Sequence, residues 1–398
     1  MERQPEDLVA LALAFTRWAA ERDLLSYPYT SPRSEPIVPP DNRDGGDGVE
    51  RHAQPELRPV ERWREALQAE FSDSLEMVRR TLFEKTIDFV GICPSPRALV
   101  ITSHQKPTAT QRNALPRWTT SRVQVHFEFA ARPELRLASA AISPARTQVM
   151  RANRYPCGTS ISLANAVSTG TMGALVEDGE GRIYGLTCNH VTGMCNNTPL
   201  GLQVVAPGLL DVRSGSLDPF TLGRHAKLAQ LAIGLPDNID IRDNVDAALF
   251  EVVDRKLVTS MQQSHYDTPT IIAPFSTEMT VEKVGRSTGK TNGRMVGWSP
   301  NIAPAPASVG SFKGTIYFEK VLLAVSRGRP FAELGDYGSL VVTEERKGKR
   351  HAIGIVYAVS SDRVLTYVAP IDEVLKQLKV KLVGGHNVAS APKPPGVP

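Results

Sequence analysis

Residues 335–342 read Gly-Asp-Tyr-Gly-Ser-Leu-Val-Val, a glycine-flanked turn that runs into an apolar strand. Two earlier segments also combine an apolar strand with one polar side chain. Residues 185–191 read Gly-Leu-Thr-Cys-Asn-His-Val, a strand that ends at His190. Residues 244–249 read Asn-Val-Asp-Ala-Ala-Leu, where Asp246 enters a strand. The chain therefore presents a histidine, an aspartate and a glycine-flanked turn in that order.

All three segments lie in a β-rich half of the chain. From about residue 158 onward, strand-length runs are separated by Gly, Asn, Asp and Pro, and helical periodicity returns only at 371–380. The 30 glycines and 30 prolines of the chain agree with many turns. This pattern is typical of an all-β barrel or sandwich.

The N-terminal half has a different pattern. Apolar residues at helical spacing predict helices at 6–25 and 57–84, and strand-like runs predict strands at 97–102 and 123–129. A segment rich in Pro and Gly between the helices is typical of a linker. The sequence thus predicts an N-terminal helix at 1–25, a flexible linker at 26–55, a small α/β domain at 56–150, the β-rich domain at 158–380 and a disordered tail at 381–398.

Charge and cysteine content argue against several classes of function. The net charge is +4 and Lys and Arg form no long block, so we expect no nucleic-acid partner. Four cysteines are few for a disulfide-built secreted protein. Cys188 and Cys195 flank His190, but no second pair with ligand spacing follows, so we expect buried thiols, no metal and no other cofactor.

The first residues argue against secretion and membrane insertion. They are net acidic, whereas a secretory signal begins with positive charge. The apolar run at 8–15 is too short to span a bilayer. We therefore expect a soluble cytoplasmic protein without a membrane partner.

The order of histidine, aspartate and Gly-Asp-x-Gly turn resembles that of chymotrypsin-like serine proteases. The flanking residues are similar to one branch of this clan, the intracellular trypsin-like peptidases related to plant NARROW LEAF proteins and their bacterial and fungal relatives. The matching segments are Gly-Thr-Met-Gly-Ala-Leu-Val at 170–176, Asn-His-Val at 189–191, Val-Asp-Ala-Ala at 245–248, Val-Gly-Arg-Ser-Thr-Gly at 284–289 and Pro-Ile-Asp-Glu-Val-Leu at 370–375. The resemblance covers roughly residues 158–380 and implies a double six-stranded β-barrel.

The resemblance also implies roles for individual residues. His190 would be the general base and Asp246 the group that orients it. The N–H groups of Gly335 and of residue 337 would form the oxyanion hole, because glycines let this turn aim them at one point. An extended substrate would pair with the strand at 354–359, and Phe331 would line the primary pocket. The substrate-binding residues implied on this strand are Gly354, Tyr357, Ala358 and Val359.

The sequence departs from the family pattern at Tyr337, where these enzymes have the nucleophilic serine. A phenol carries its oxygen several ångströms further from Cα, so we expect it to reach beyond His190 and to fill the space of the scissile carbonyl. Ser339 lies two residues downstream, off the turn that presents a nucleophile. Asp336 also has a purely structural interpretation, as an acceptor for buried N–H groups of the turn.

Three functions compete on these grounds. The first is a pseudoprotease that binds peptides or acts as a regulatory scaffold. The second is an active serine endopeptidase with an unusual arrangement, or an inactive variant of one. The third is a nucleotide switch at 285–291, which is disfavoured because three residues, not four, separate its glycines, so we expect a hairpin there. The expected partner is a peptide or protein, and homo-oligomerisation stays open.

Overall fold

The computed structural model describes residues 5–29, 59–93, 97–136, 153–212, 220–276, 279–299, 303–326, 328–344 and 349–388. Residues 30–55 of the predicted linker therefore lie outside the described residues, as do residues 389–398 of the predicted tail. The described α-helices are α1 (Pro5–Ala20), α2 (Pro59–Phe71), α3 (Ser74–Thr81), α4 (Ala109–Ala114), α5 (Asn189–Thr192) and α6 (Ile371–Leu378).

The described part of the chain is mostly β. Its strands are β1 (Ile87–Cys93), β2 (Ala98–Ser103), β3 (Gln124–Phe129), β4 (Pro133–Arg136), β5 (Tyr155–Cys157), β6 (Thr159–Leu163), β7 (Gly170–Met172), β8 (Ala174–Glu177), β9 (Ile183–Thr187), β10 (Gln203–Ala206), β11 (Phe220–Leu228), β12 (Ala248–Val252), β13 (Val258–Gln262), β14 (Tyr266–Asp267), β15 (Thr280–Gly285), β16 (Gly289–Ser299), β17 (Ala303–Val309), β18 (Phe312–Phe318), β19 (Val321–Val325), β20 (Leu340–Glu344), β21 (Arg350–Ser360), β22 (Leu365–Pro370) and β23 (Lys381–Leu382).

The C-terminal strands form a closed six-stranded barrel. The pairing runs from β15 to β16, β19, β22, β21 and β20, and β20 pairs with β15 again. Closure removes open sheet edges from the ring, and its inward-facing side chains form one apolar core. β15 and β16 form an antiparallel hairpin in which Gly285 faces Gly289. The hairpin predicted for this segment is therefore confirmed.

The preceding strands form a curled sheet in the order β23-β8-β9-β12-β11-β10-β6-β7. β7 is the last strand of this order and β8 is the second, next to β23, but only Gly173 separates β7 from β8 in the chain. The sheet therefore curls so that β7 returns to β8 at this glycine. A closed six-stranded barrel and a curled sheet, preceded by short helices, give the mostly β, trypsin-like fold that the sequence predicted. In place of the second six-stranded barrel, the described residues form a curled eight-stranded sheet.

The N-terminal helices have their own apolar core, which includes Phe15, Phe71, Val78 and Ile101. The helix predicted at 57–84 is two helices, because Ser72 adopts a left-handed backbone (φ 47°) between α2 and α3. The strands of this region do not stand apart, since β1 pairs with β16 of the closed barrel at Ile92 and Trp298. The domain boundaries predicted from sequence stay a prediction.

The C-terminal helix α6 directly follows β22, the last strand of the closed barrel in the chain. Ile371, Val374, Leu375 and Leu378 follow helical spacing and are all buried. Beyond it, within the segment predicted to be a disordered tail, β23 pairs with β8. Disorder therefore does not begin at residue 381. No helix in the described ranges combines the length and the apolar character that crossing a membrane requires.

Candidate functional site

The curled sheet brings His190 and Asp246 together. His190 lies on α5, directly after β9, and Asp246 directly precedes β12, which pairs with β9 at Ala248 and Thr187. His190 Nδ1 lies 2.5 Å from Asp246 Oδ2, and the His190 backbone N–H donates to Asp246 Oδ1 at 2.9 Å. Both side chains are fully buried. The carboxylate therefore fixes the ring so that Nδ1 faces it and Nε2 points away.

The glycine-flanked turn faces this pair. Gly335 and Gly338 have φ values of +97° and +94°, which side chains with a Cβ rarely adopt. β7 holds the turn, because Thr171 Oγ1 donates to the Gly335 carbonyl at 2.7 Å and the Thr171 N–H donates to the Tyr337 carbonyl at 2.9 Å. In the described part of the chain, the N–H groups of Gly335 and Tyr337 donate to no acceptor. They are the two groups that the resemblance assigns to an oxyanion hole.

Asp336 stabilises the turn from inside. Its carboxylate accepts hydrogen bonds from the N–H groups of Ser287 (2.7 Å), Thr288 (3.2 Å) and Glu333 (3.0 Å). Lys283 Nζ lies 3.1 Å from Asp336 Oδ2, and both side chains are fully buried. Burial lowers the pKa of Lys283 while the adjacent Asp336 opposes that shift. This geometry supports the structural interpretation of Asp336, and the sequence analysis missed Lys283.

Tyr337 fills the space beside His190. The two rings meet edge-on, with centroids 4.8 Å apart and an interplanar angle of 72°. The tyrosine hydroxyl passes the imidazole and donates to the Glu134 carbonyl of β4 at 3.3 Å. Burial raises the pKa of the Tyr337 phenol well above its usual value. The His190 Nε2 atom is buried and has no hydrogen-bond partner among the described residues.

Two nearby side chains, Ser339 and Cys188, do not take the place of the nucleophile. Ser339 Oγ donates to the Asp336 carbonyl at 2.5 Å, within its own turn. Cys188 Sγ donates to the Val356 carbonyl at 3.2 Å, and burial raises the pKa of this thiol well above its usual value. Since the thiolate is the reactive form, Cys188 is inert in this environment.

Cys188, His190 and Asp246 also form a group of potential metal ligands. One ligand atom of each lies within 4.8 Å of the others. Cys188 Sγ donates to the Val356 carbonyl, and the Asp246 carboxylate accepts from the ring and backbone of His190. Two of the three groups are therefore already engaged within the protein. The absence of a metal stays a prediction from the sequence.

The segment predicted to bind an extended substrate, 354–359, is part of β21. β20 pairs with one edge of β21 as far as the pair Leu340 and Ile355. Towards the C-terminal end of β21, β4 pairs with the same edge, and Glu134 lies opposite Val359. Gly354, Tyr357 and Ala358 lie on this strand, and the side chains of 357–359 are buried.

Phe331 is also buried, and its ring packs against Gly293. A Cβ added at Gly293 would lie 2.8 Å from the Phe331 ring. Its assignment to a primary pocket stays a prediction. The sequence analysis missed Glu134, because a four-residue strand gives too short a pattern to recognise.

No family model matches this sequence, and no curated protein matches it significantly. Solved structures similar to this chain include a Nocardiopsis protease at 16% identity (57% of this chain, 97% of that one, TM-score 0.35). Thermobifida fusca Protease A is similar at 18% identity (57% and 98%, TM-score 0.37). Cellulomonas bogoriensis chymotrypsin is similar at 14% identity (57% and 99%, TM-score 0.36). Identities and TM-scores this low say nothing of this chain's activity or substrates.

Proposed function

We propose that this trypsin-like serine protease homologue is a pseudoprotease, a peptide-binding or regulatory scaffold that does not hydrolyse peptides. We also propose that its nearer relatives are the intracellular peptidases related to NARROW LEAF proteins. The observation that carries the proposal is Tyr337 at the nucleophile position, with its ring against His190 and its hydroxyl on the Glu134 carbonyl.

Acyl-enzyme chemistry needs a hydroxyl that gives its proton to the base while it attacks a carbonyl about 3 Å away. The Tyr337 hydroxyl does not hydrogen-bond to His190 Nε2. Its raised pKa also works against ionisation beside an imidazole base. In addition, the phenyl ring occupies the space beside His190 that a substrate carbonyl would need. Losing the nucleophile typically costs a factor of about 10⁶ in turnover.

This site can bind a peptide without hydrolysing it. Main-chain pairing along the edge of β21 needs no nucleophile, because backbone N–H and C=O groups supply the affinity. An intracellular location belongs to the proposal, since all four cysteines are buried thiols outside any disulfide, which suits a reducing compartment.

The second candidate is a serine endopeptidase of which this chain is an inactive variant. The observation that favours it is the retained site. His190 and Asp246 are paired, and the Gly335 and Tyr337 N–H groups have no acceptor among the residues that the structure describes. A nucleotide switch at 285–291 has less support. The segment is a hairpin, and Lys290 Nζ pairs with Glu282 at 2.8 Å.

The test is exposure of the purified chain to a proteome-derived peptide library, with new peptide termini counted by mass spectrometry. We expect no cleavage beyond that of a His190→Ala control, because no hydroxyl is activated. Cleavage that disappears in the His190→Ala variant would contradict the proposal and favour an active endopeptidase.

A further inference from the structure

β21 has an edge that its own barrel leaves open. β20 covers this edge as far as Ile355, and then the chain departs into the 335–339 turn. On the opposite edge, β22 continues to pair with β21 as far as Val359. Residues 357–360 therefore present one row of backbone groups that no barrel strand satisfies. An exposed edge of this kind is a template for an extended chain.

β4 occupies that open edge. It pairs antiparallel with β21, with Glu134 opposite Val359 and Pro133 opposite Ser360, and the Ser361 N–H donates to the Arg132 carbonyl at 3.2 Å. The register puts the Glu134 carbonyl within 3.3 Å of the Tyr337 hydroxyl. β4 thus lies across the turn in an extended conformation. It pairs with the strand that the sequence predicts to bind a peptide.

The N-terminal region holds β4 in this place. Arg132 Nε donates to Asp88 Oδ1 on β1 at 3.0 Å, and the Ala131 N–H donates to Asp362 Oδ2 at 3.0 Å. Leu135 is fully buried and is the apolar anchor of the strand. By contrast, Arg136 is exposed. β4 is therefore bound through its main chain to β21 on one edge and to β17 on the other, through Leu135 and through two flanking polar contacts.

We propose that β4 is an internal ligand of the peptide-binding edge, so that an extended peptide binds to residues 357–360 only when β4 leaves. This inference rests on the proposed peptide-binding function. A tethered strand has a high effective concentration and outcompetes a free peptide without stronger contacts. A peptide's apparent affinity equals its intrinsic affinity multiplied by the fraction of molecules in which β4 is displaced. The N-terminal region thereby acts as an autoinhibitor of the site.

The probe for the test is a fluorescein-labelled peptide with the sequence of residues 130–136, measured by fluorescence anisotropy on the full-length chain. Leu135→Asp removes the anchor of β4, and we expect it to bind the probe about tenfold more tightly, or better, than the unmodified chain. Val167→Asp, at an exposed apolar position, is the matched control and should bind as the unmodified chain does.

A reversible lock tests the same inference without loosening the fold. Glu134 and Val359 face each other, at a spacing that a disulfide can bridge, so the chain is changed to Glu134→Cys with Val359→Cys. The native cysteines are buried, which keeps oxidation at the new pair. We expect oxidation to abolish binding of the probe and dithiothreitol to restore it, whereas the single Glu134→Cys change gives no such response.

The outcomes separate the two proposals. Equal binding by the unmodified chain and by Leu135→Asp, or by the oxidised and reduced lock, would overturn the role of β4 and leave peptide binding intact. If no form binds the probe while circular dichroism shows each one folded, peptide binding itself fails, and the inference fails with it.

Discussion

At the residue scale, the polar side chains differ in how fully the protein satisfies their hydrogen bonds. Asp336 receives three backbone N–H groups and a lysine, so it stabilises the turn without taking part in chemistry. His190 Nδ1 faces Asp246, whereas Nε2 has no hydrogen-bond partner in the part of the chain that the structure describes. His225 on β11 is buried with no hydrogen bond on either nitrogen among the described residues.

His225 gives a prediction about pH. Burial lowers the pKa of His225 to about 4, so the unfolded chain binds a proton near its ordinary pKa of 6.5 while the folded chain does not. Stability is therefore complete above pH 6.5 and falls as the pH drops towards 4, by up to about 3 kcal/mol. His225→Leu should flatten this part of the profile in urea melts at a series of pH values. His126→Leu, at an exposed position, should leave the profile unchanged, and an unaltered slope in His225→Leu would contradict the assignment.

At the element scale, the closed barrel and the curled sheet come into direct backbone contact at one point. Gly173, the residue between β7 and β8, lies so close to the turn that an added Cβ would sit 1.8 Å from the Gly338 carbonyl oxygen. Neither atom belongs to a flexible side chain, so the contact can be relieved only by moving a strand or the turn. This contact fixes how the turn sits against His190.

Gly173→Ala should therefore destabilise the protein by about 3 kcal/mol or more, because overpacking against backbone displaces whole elements. The measurement is the urea midpoint of unfolding. Gly179→Ala is the matched control, since an added Cβ there meets nothing within 4 Å, and it should change stability little. If both variants unfolded at the same midpoint, the close approach of β7 to the turn would be wrong.

At the scale of the whole molecule, the sequence predicted the parts that depend on local pattern. Strand-length runs gave the β-rich half, and the order of His190, Asp246 and the turn was enough to predict that they would meet. Helical periodicity could not reveal the break at Ser72, because the apolar stripe continues across it: Phe71 and Leu75 are both buried. The left-handed backbone of one serine interrupts the helix without interrupting the pattern.

What the sequence could not predict depends on contacts between distant residues. The pairing of Glu134 with Val359 joins strands more than 200 positions apart in the chain. Nothing in a four-residue segment specifies such a partner. The buried pair of Lys283 and Asp336 was missed for the same reason, since a lysine on a strand is ordinarily a solvent-facing residue.

The central claim is that this chain has no activated nucleophile, although the rest of the site is assembled. A fluorophosphonate probe tests it most directly, because it labels only a hydroxyl activated by a base. The account predicts that the unmodified chain stays unlabelled, also when Leu135→Asp releases β4. Tyr337→Ser in that released background should be labelled, and His190→Ala should abolish the labelling. Labelling of the chain with Tyr337 in place, lost on His190→Ala, would contradict the account.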